Sequence, residues 1–329
     1  MNNPPFLQKW YFPLLASILA VAGLLLYPYT AGYGLYPIPL WQLLSVMWNS
    51  SDEWKHGIFV LPNALFLVYL KRGQLAKIPI KGSNWGFLIF SLGMVSYWLG
   101  YMATIQYFGY LALQLAIAGL IVLFLGIRFF KELFFIWCFL FFAYPFVFLE
   151  QFVAFPLRLL MSDASYRFLN LIGVHTVRDG TAIISAANPV LGIVQGQRFS
   201  VDVADPCSGI RSLFALTMIS ALFGIVSFNK GWKVLVLFLA ALPLAVFGNF
   251  CRILMLTFGT MAFGSDFAIG SLESPTWFHL AAGFLVYIAA VLGVLGIAWV
   301  LNGVPNRQRT VVTPSASSAP TSGSSPDAY

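Results

Sequence analysis

The apolar residues of this chain recur neither at the one-faced spacing of a soluble helix nor in the alternation of a half-buried strand. They run in long blocks separated by short polar clusters. An α-helix needs about 17–25 residues to cross roughly 30 Å of hydrocarbon. Eight blocks read as spans: 11–28, 57–70, 85–104, 107–126, 133–149, 207–227, 232–258 and 277–301. The second is short, and the seventh carries Pro243 and runs into Asn249 and Arg252. The pattern predicts an all-α polytopic membrane protein of about eight transmembrane helices within residues 1–310.

Two connecting segments depart from the block pattern. In residues 30–56, Trp41, Leu44, Val46, Met47 and Trp48 form an amphipathic piece suited to the membrane interface. Residues 150–206 begin with "PLRLLMSDASYRFLNLIG", apolar at helical spacing around Arg158 and Arg167, and continue with Asp-Gly and Gly-Gln turn signals between short β-prone pieces. This is the expected extracytoplasmic cap, an amphipathic helix with a short β-hairpin. Residues 311–329, rich in Ser, Pro and Ala, read as a disordered cytoplasmic tail.

Composition supports the membrane class: 60% of the 329 residues are hydrophobic and only 9% are charged, too few to cover a soluble surface. The net charge of +7 does not point to nucleic acid, because Lys and Arg fall in short clusters between the blocks. With the N-terminus inside, the cytoplasmic loops hold Lys9, then Lys71, Arg72, Lys77 and Lys81, then Arg128 and Lys131, then Lys230 and Lys233, then Arg307 and Arg309. Both termini are thus expected in the cytoplasm of a multi-pass plasma (inner) membrane protein whose partner is the lipid bilayer. The first block lacks a clear cleavage site and reads as a retained span. Three cysteines without metal-type spacing indicate neither disulfides nor a metal site, and no motif calls for a cofactor.

Chemistry-bearing residues concentrate where they are expensive. In "DPCSGIRSL", Asp205 suits an N-cap and Pro206 the first helical position, which puts Cys207 in the first turn of a helix entering from the outer face. Ser208 and Gly209 are small, and Arg211, four residues after the cysteine, shares its helix face. A helix N-terminus and a guanidinium both favour thiolate over thiol. The stretch reads equally as an ordinary capped helix start whose arginine snorkels to the interface, so partners must decide. In "FGNFCRIL", Asn249 and Arg252 share a face of the seventh span, where an arginine marks function or a buried partner, or else anchors the outer end of the span at the interface. In "SPTWFHLAAGF", His279 falls near the outer start of the eighth. Cys207, Arg252 and His279 come from three spans that the charge pattern brings to one membrane face. Cysteine as nucleophile, histidine as proton carrier and arginine as oxyanion stabiliser suffice for acyl transfer. His56, at another outer helix start, suits a structural or substrate-groove role; His175 reads as a solvated loop residue, Cys138 as an inert thiol, lipid-facing or packed, and Cys251 as packing.

These motifs resemble the exosortase/archaeosortase family of membrane-embedded cysteine transpeptidases. "DVADPCSGIRSL" is similar to that family's Cys-Ser-Gly-Ile-Arg segment, "NFCRIL" to its Asn-x-x-Arg segment, "HLAAGF" to its final His-containing helix and "KHGIFVLPNALFLVYLKR" to its early His-Gly segment. The resemblance implies Cys207 as nucleophile, Arg252 as the transition-state-stabilising arginine, His279 as acid/base and Arg211 as a residue that tunes the thiol or holds substrate. It also implies exported substrate proteins ending in a sorting signal: a short motif of the Pro-Glu-Pro (PEP-CTERM) type, one transmembrane helix and a basic end. The tail is lost, a thioester forms on Cys207, and an unknown acceptor nucleophile resolves it. The alternatives are an intramembrane cysteine protease that only hydrolyses, or a polytopic transporter or polysaccharide-assembly protein. A transporter would place its polar residues at the midplane of two related halves.

Overall fold

The computed structural model describes residues 6–30, 36–50, 54–144, 146, 148–149, 152–153, 155–202, 210–270 and 276–302. Helices dominate, in the order α1 (Phe6–Leu26), α2 (Leu40–Ser50), α3 (Val60–Leu75), α4 (Trp85–Met102), α5 (Tyr107–Phe124), α6 (Ile127–Phe139), α7 (Phe155–Leu171), α8 (Ile210–Ser227), α9 (Gly231–Phe263), α10 (Ser265–Ala268) and α11 (Trp277–Asn302). Among the described residues four of these, α4, α5, α9 and α11, are long and apolar enough to cross a membrane, with shorter apolar stretches at Leu15–Leu26 and Ser212–Ser227. The helix in the region of 133–149 begins earlier, at Ile127, and yields to a 3-10 turn at Leu140–Ala143. Gly126 starts it at φ +100°, where a Cβ would also collide with the Lys81 carbonyl oxygen. Despite Pro243, α9 is one helix.

The burial pattern is inside out relative to water. On α11 the large apolar residues Leu280, Phe284, Leu285, Leu292 and Trp299 are exposed, while Ala282, Ala290, Ala298 and His279 are buried. Small residues inside and large apolar ones outside are stable only where the surroundings are hydrocarbon. The α4–α5 pair uses the same rule. Gly86 and Gly93 of α4 face Gly119, Ala112 and Ala116 of α5, and a Cβ on Gly86 would lie 2.2 Å from the Leu123 backbone nitrogen. The chain after α1 is pinned to this pair. Strand β1 (Pro28–Tyr29) pairs antiparallel with β2 (Ile38–Pro39), and the Tyr29 ring sits against Gly100 and Gly109, its Oη donating to the Tyr97 carbonyl at 3.0 Å. In α2, Leu40, Leu43 and Leu44 are buried, Trp41 and Val46 exposed, and Trp48 Nε1 donates to the Ala143 carbonyl at 2.8 Å.

Helices α8, α9 and α11 pack together, with α3 and α6 completing a core that includes Leu67, Phe139, Leu216, Leu237 and Val294. Lys233 Nζ, at the start of α9, donates to the Leu301 carbonyl at the end of α11, so these two helices are antiparallel and locked at that end. The region 155–202 carries α7 and a three-stranded antiparallel sheet, where the sequence suggested only a hairpin: β3 (Thr176–Asp179), β4 (Ala182–Ser185) and β5 (Ser200–Asp202). Gly180, at φ +61°, opens the two-residue turn between β3 and β4. Met161 and Leu169 of α7, Ile183 of β4 and Phe199 just before β5 pack on Ile253, Leu256 and Ala282. The cap therefore sits on the C-terminal third of α9 and the first turns of α11.

Candidate active site

The start of α11 is built for position. Thr276 Oγ1 accepts from the His279 backbone nitrogen at 3.2 Å, and the Thr276 carbonyl accepts from Leu280 N at 3.1 Å, a side-chain N-cap followed by the first helical bond. Phe278 packs over Gly259 of α9, where a Cβ would approach its ring to 2.5 Å. These contacts leave the His279 side chain facing α9, 2% exposed.

On α9, Arg252 Nη2 lies 2.7 Å from His279 Nε2. A guanidinium has only donors, so Nε2 is the acceptor and the imidazole holds its proton on Nδ1. The guanidinium lies over Gly283, one turn beyond His279, where a Cβ would stand 3.2 Å from Cζ and Nη2 and 3.3 Å from Nε. Any other residue there would press on the arginine. Asn249, on the same face of α9, is buried, and its Oδ1 and Arg252 Nε have no hydrogen-bond partner among the described residues. A cavity of about 20 Å³ lies between them, lined also by Ser212, Gly283 and Tyr287, room for about one water. A water there would accept from Arg252 Nε and donate to Asn249 Oδ1.

Of the candidate residues, Cys207 and Ser208 lie outside the described residues, and Arg211 stands in the first turn of α8. Arg252 and His279 are brought together, and Asn249 joins them. His56 is elsewhere: its ring stacks on Phe214 at 5.9 Å and 17° and lines an apolar cavity of about 200 Å³ with Trp54, Cys138 and Phe238. Phe214 and Ser212 point to different sides of α8, so His56 belongs to an aromatic groove beside the arginine–histidine pair. Among the described residues no cluster of His, Cys, Asp or Glu could hold a metal. Gly283, Ser212 and Thr276 were not singled out from the sequence; the four-residue spacing of His279 and Gly283 in "HLAAGF" was the signal for the first.

Lys233 and Arg252 are nineteen residues apart on one helix, about 28 Å at a rise of 1.5 Å per residue, close to the hydrocarbon thickness. The arginine–histidine pair thus stands one membrane thickness from the Lys233 end. Residues 48–296 match the family model for the transmembrane exosortase (Exosortase_EpsH). No curated protein and no solved structure matches the chain. The match covers most of the chain, including the stretches that hold Arg252 and His279, and the chain belongs to the transmembrane exosortase family.

Proposed function

We propose that this protein is a sorting transpeptidase that cleaves the C-terminal signal of exported proteins and passes the new end to an acceptor. The hydrogen bond between Arg252 and the buried His279 carries the reading. Ser212, five residues after Cys207 in the chain, lines the same cavity as Arg252, which supports Cys207 as the nucleophile that completes the set. In this reading the eight apolar segments all span the plasma membrane, the termini are cytoplasmic, and residues 150–206 cap the extracytoplasmic face. A pair one membrane thickness from Lys233 supports a site at one face rather than the midplane.

The geometry supports a substrate-gated cycle. At rest Arg252 occupies the Nε2 lone pair, the one that would take the thiol proton. When a peptide carbonyl enters, its oxygen draws the guanidinium away and frees Nε2. Cys207 sulfur attacks the carbonyl carbon, its proton passes to His279 Nε2, and Arg252 stabilises the oxyanion. Collapse breaks the C–N bond as His279 returns the proton to the leaving amine, leaving a thioester. An acceptor amine then attacks, its proton passes through His279 to the sulfur, and the C–S bond breaks. With water as acceptor the same steps give hydrolysis.

The test is co-expression with an exported reporter carrying a short motif, one apolar helix and a basic end. The parent removes the tail, while Cys207→Ala, Arg252→Ala and His279→Ala do not. A thioester adduct accumulates with poor acceptors and is released by hydroxylamine. Tail removal that persists in Cys207→Ala sinks the mechanism. The mass of the new C-terminus separates transfer from hydrolysis.

A further inference from the structure

One face of α6 begins with cations and continues with apolar residues. Arg128, Lys131, Phe135 and Cys138 follow one another at intervals of three, four and three residues, which sets them in a single stripe along the helix. Beyond the cations the stripe borders a cleft of about 270 Å³ between α6, the last turns of α8 and the first turns of α9, walled by Phe135, Cys138, Phe142, Ile225, Val234 and Phe238. Among the described residues that line it, the Cys138 thiol is the one polar side-chain group. A neighbouring cavity of about 200 Å³ shares Cys138, Phe142 and Phe238, so the apolar cleft continues along α6 towards Phe214. Phe134 and Leu235 at its edge are exposed, which leaves it open to the surrounding hydrocarbon.

The cations at its mouth differ from others at this end of the molecule. Lys71 pairs with Glu132 at 3.7 Å, Arg72 lies 3.7 Å from the centre of the Tyr69 ring, and Lys233 donates to the Leu301 carbonyl. The side chains of Arg128, Lys131 and Lys230 are exposed and make no hydrogen bond or ion pair with the described residues. Lys230 belongs to the same mouth, because the Phe135 ring packs over Gly231, where a Cβ would approach it to 2.6 Å. Three cations without counter-ions beside an apolar cleft suit a ligand with an anionic head and a hydrocarbon tail. The dimensions select the tail. Lys131 to Phe142 spans about 18 Å, made of about 12 Å of α-helix to Phe139 and about 6 Å of 3-10 turn, close to the roughly 15 Å depth of one leaflet. A transmembrane helix is about 10 Å across and needs roughly 1,400 Å³ over that length, several times what the two cavities offer. We infer that the cleft binds one anionic phospholipid of the adjoining leaflet, with an acyl chain against Cys138 and Phe142 and its phosphate among Arg128, Lys131 and Lys230. In the proposed orientation this is the cytoplasmic leaflet, and the binding does not depend on the sorting reaction.

The test needs no catalysis. Full-length protein in maltoside detergent is mixed with equal amounts of phosphatidylglycerol and phosphatidylcholine of identical chains, and native mass spectrometry counts the adducts. The first lipid bound is phosphatidylglycerol in roughly tenfold excess. The preference disappears in Arg128→Gln/Lys131→Gln/Lys230→Gln, checked for an unchanged melting temperature, and persists in Arg72→Gln/Lys77→Gln, which removes basic residues at the end of α3. Equal binding of the two lipids overturns the assignment, as does a preference that survives the triple substitution. Loss of preference in both variants shows attraction by any basic loop, and overturns it as well. In the chain arm, glycerol 3-phosphate, which has the phosphate without the chains, displaces no lipid at the lipid's concentration. Cys138→Phe, which puts a ring into the cleft, weakens phosphatidylglycerol binding severalfold. Displacement by glycerol 3-phosphate as effective as by the lipid shows a free-phosphate site, and undiminished binding in Cys138→Phe puts the chain elsewhere; either result overturns the cleft as the site. Where Cys138→Phe fails to fold, the glycerol 3-phosphate comparison decides.

Discussion

The seat under Arg252 is the most sensitive test of the site. In Gly283→Ala the new Cβ lies 3.2–3.3 Å from the guanidinium atoms, against an optimum of about 3.5–4.0 Å for such contacts. The guanidinium must retreat by a few tenths of an ångström, which stretches its 2.7 Å bond to His279 and shifts the point where it meets an oxyanion. A 1 Å misplacement costs about a hundredfold in rate, so this smaller shift is worth roughly three- to tenfold in kcat/KM. Alanine also raises helix propensity over glycine by about 0.5–1 kcal/mol, so stability is expected to hold or rise. Activity and stability thus move in opposite directions. Gly296→Ala is the control: it sits on the same helix with nothing within 4 Å of the new Cβ, and gains stability with no loss of activity. The assays are reporter tail removal and thermal unfolding of the purified protein. Parent-like activity in Gly283→Ala would refute the claim that the glycine seats the arginine; parallel loss of both quantities would show a folding defect instead.

Arg252→Lys keeps the charge but replaces a five-donor fork with one ammonium on a shorter stem, so tail removal falls by about a hundredfold or more while the melting temperature stays close to the parent's. Gly86→Ala drives a Cβ to 2.2 Å from the Leu123 backbone nitrogen and 2.5 Å from the Gly119 carbonyl oxygen, and overpacking of this kind costs about 1–3 kcal/mol. Denaturation in mild detergent checks it, and an unchanged or raised midpoint contradicts the close α4–α5 approach. Burial, and secondarily the neighbouring Tyr97, push the Tyr29 phenol above its ordinary value of 10.0. The folded state therefore keeps this proton when the unfolded chain loses it, so the stability Tyr29 contributes is complete below the ordinary value and is lost as pH rises past it. Tyr29→Phe flattens this alkaline slope, and an unaltered slope would refute the assignment.

The helical blocks were legible because hydrocarbon leaves the backbone no other partner, and a long apolar run has one stable local structure. Arg252 and His279 were legible for the complementary reason, that polar groups in such runs are costly and need each other. What could not be read was the set of small residues that let them meet. Gly283, Gly259 and Gly86 matter through what would collide with a Cβ, and that obstacle lies on another helix. The third strand of the cap was hidden too: β5 holds only Ser200–Asp202, too short for an alternating pattern, and its register is set by pairing Val201 with Ile183.

The end of α9 shows why apolar length misleads at a membrane boundary. The expected span stopped at 258, yet the helix continues to Phe263, and the hydrocarbon allowance counted from Lys233 is used up near Arg252. Beyond that point Ile253 and Leu256 are covered by Met161, Leu169 and Phe199 of the cap rather than by lipid. Sequence cannot distinguish the two covers, because a protein interior and a bilayer both reward apolar side chains. In the proposed orientation the boundary between them falls at the arginine–histidine pair. There, in the proposed orientation, protein shields the charge from above and hydrocarbon from below. Water reaches the pair poorly, so a bond from Arg252 to an oxyanion acts at low effective dielectric, where it is worth most.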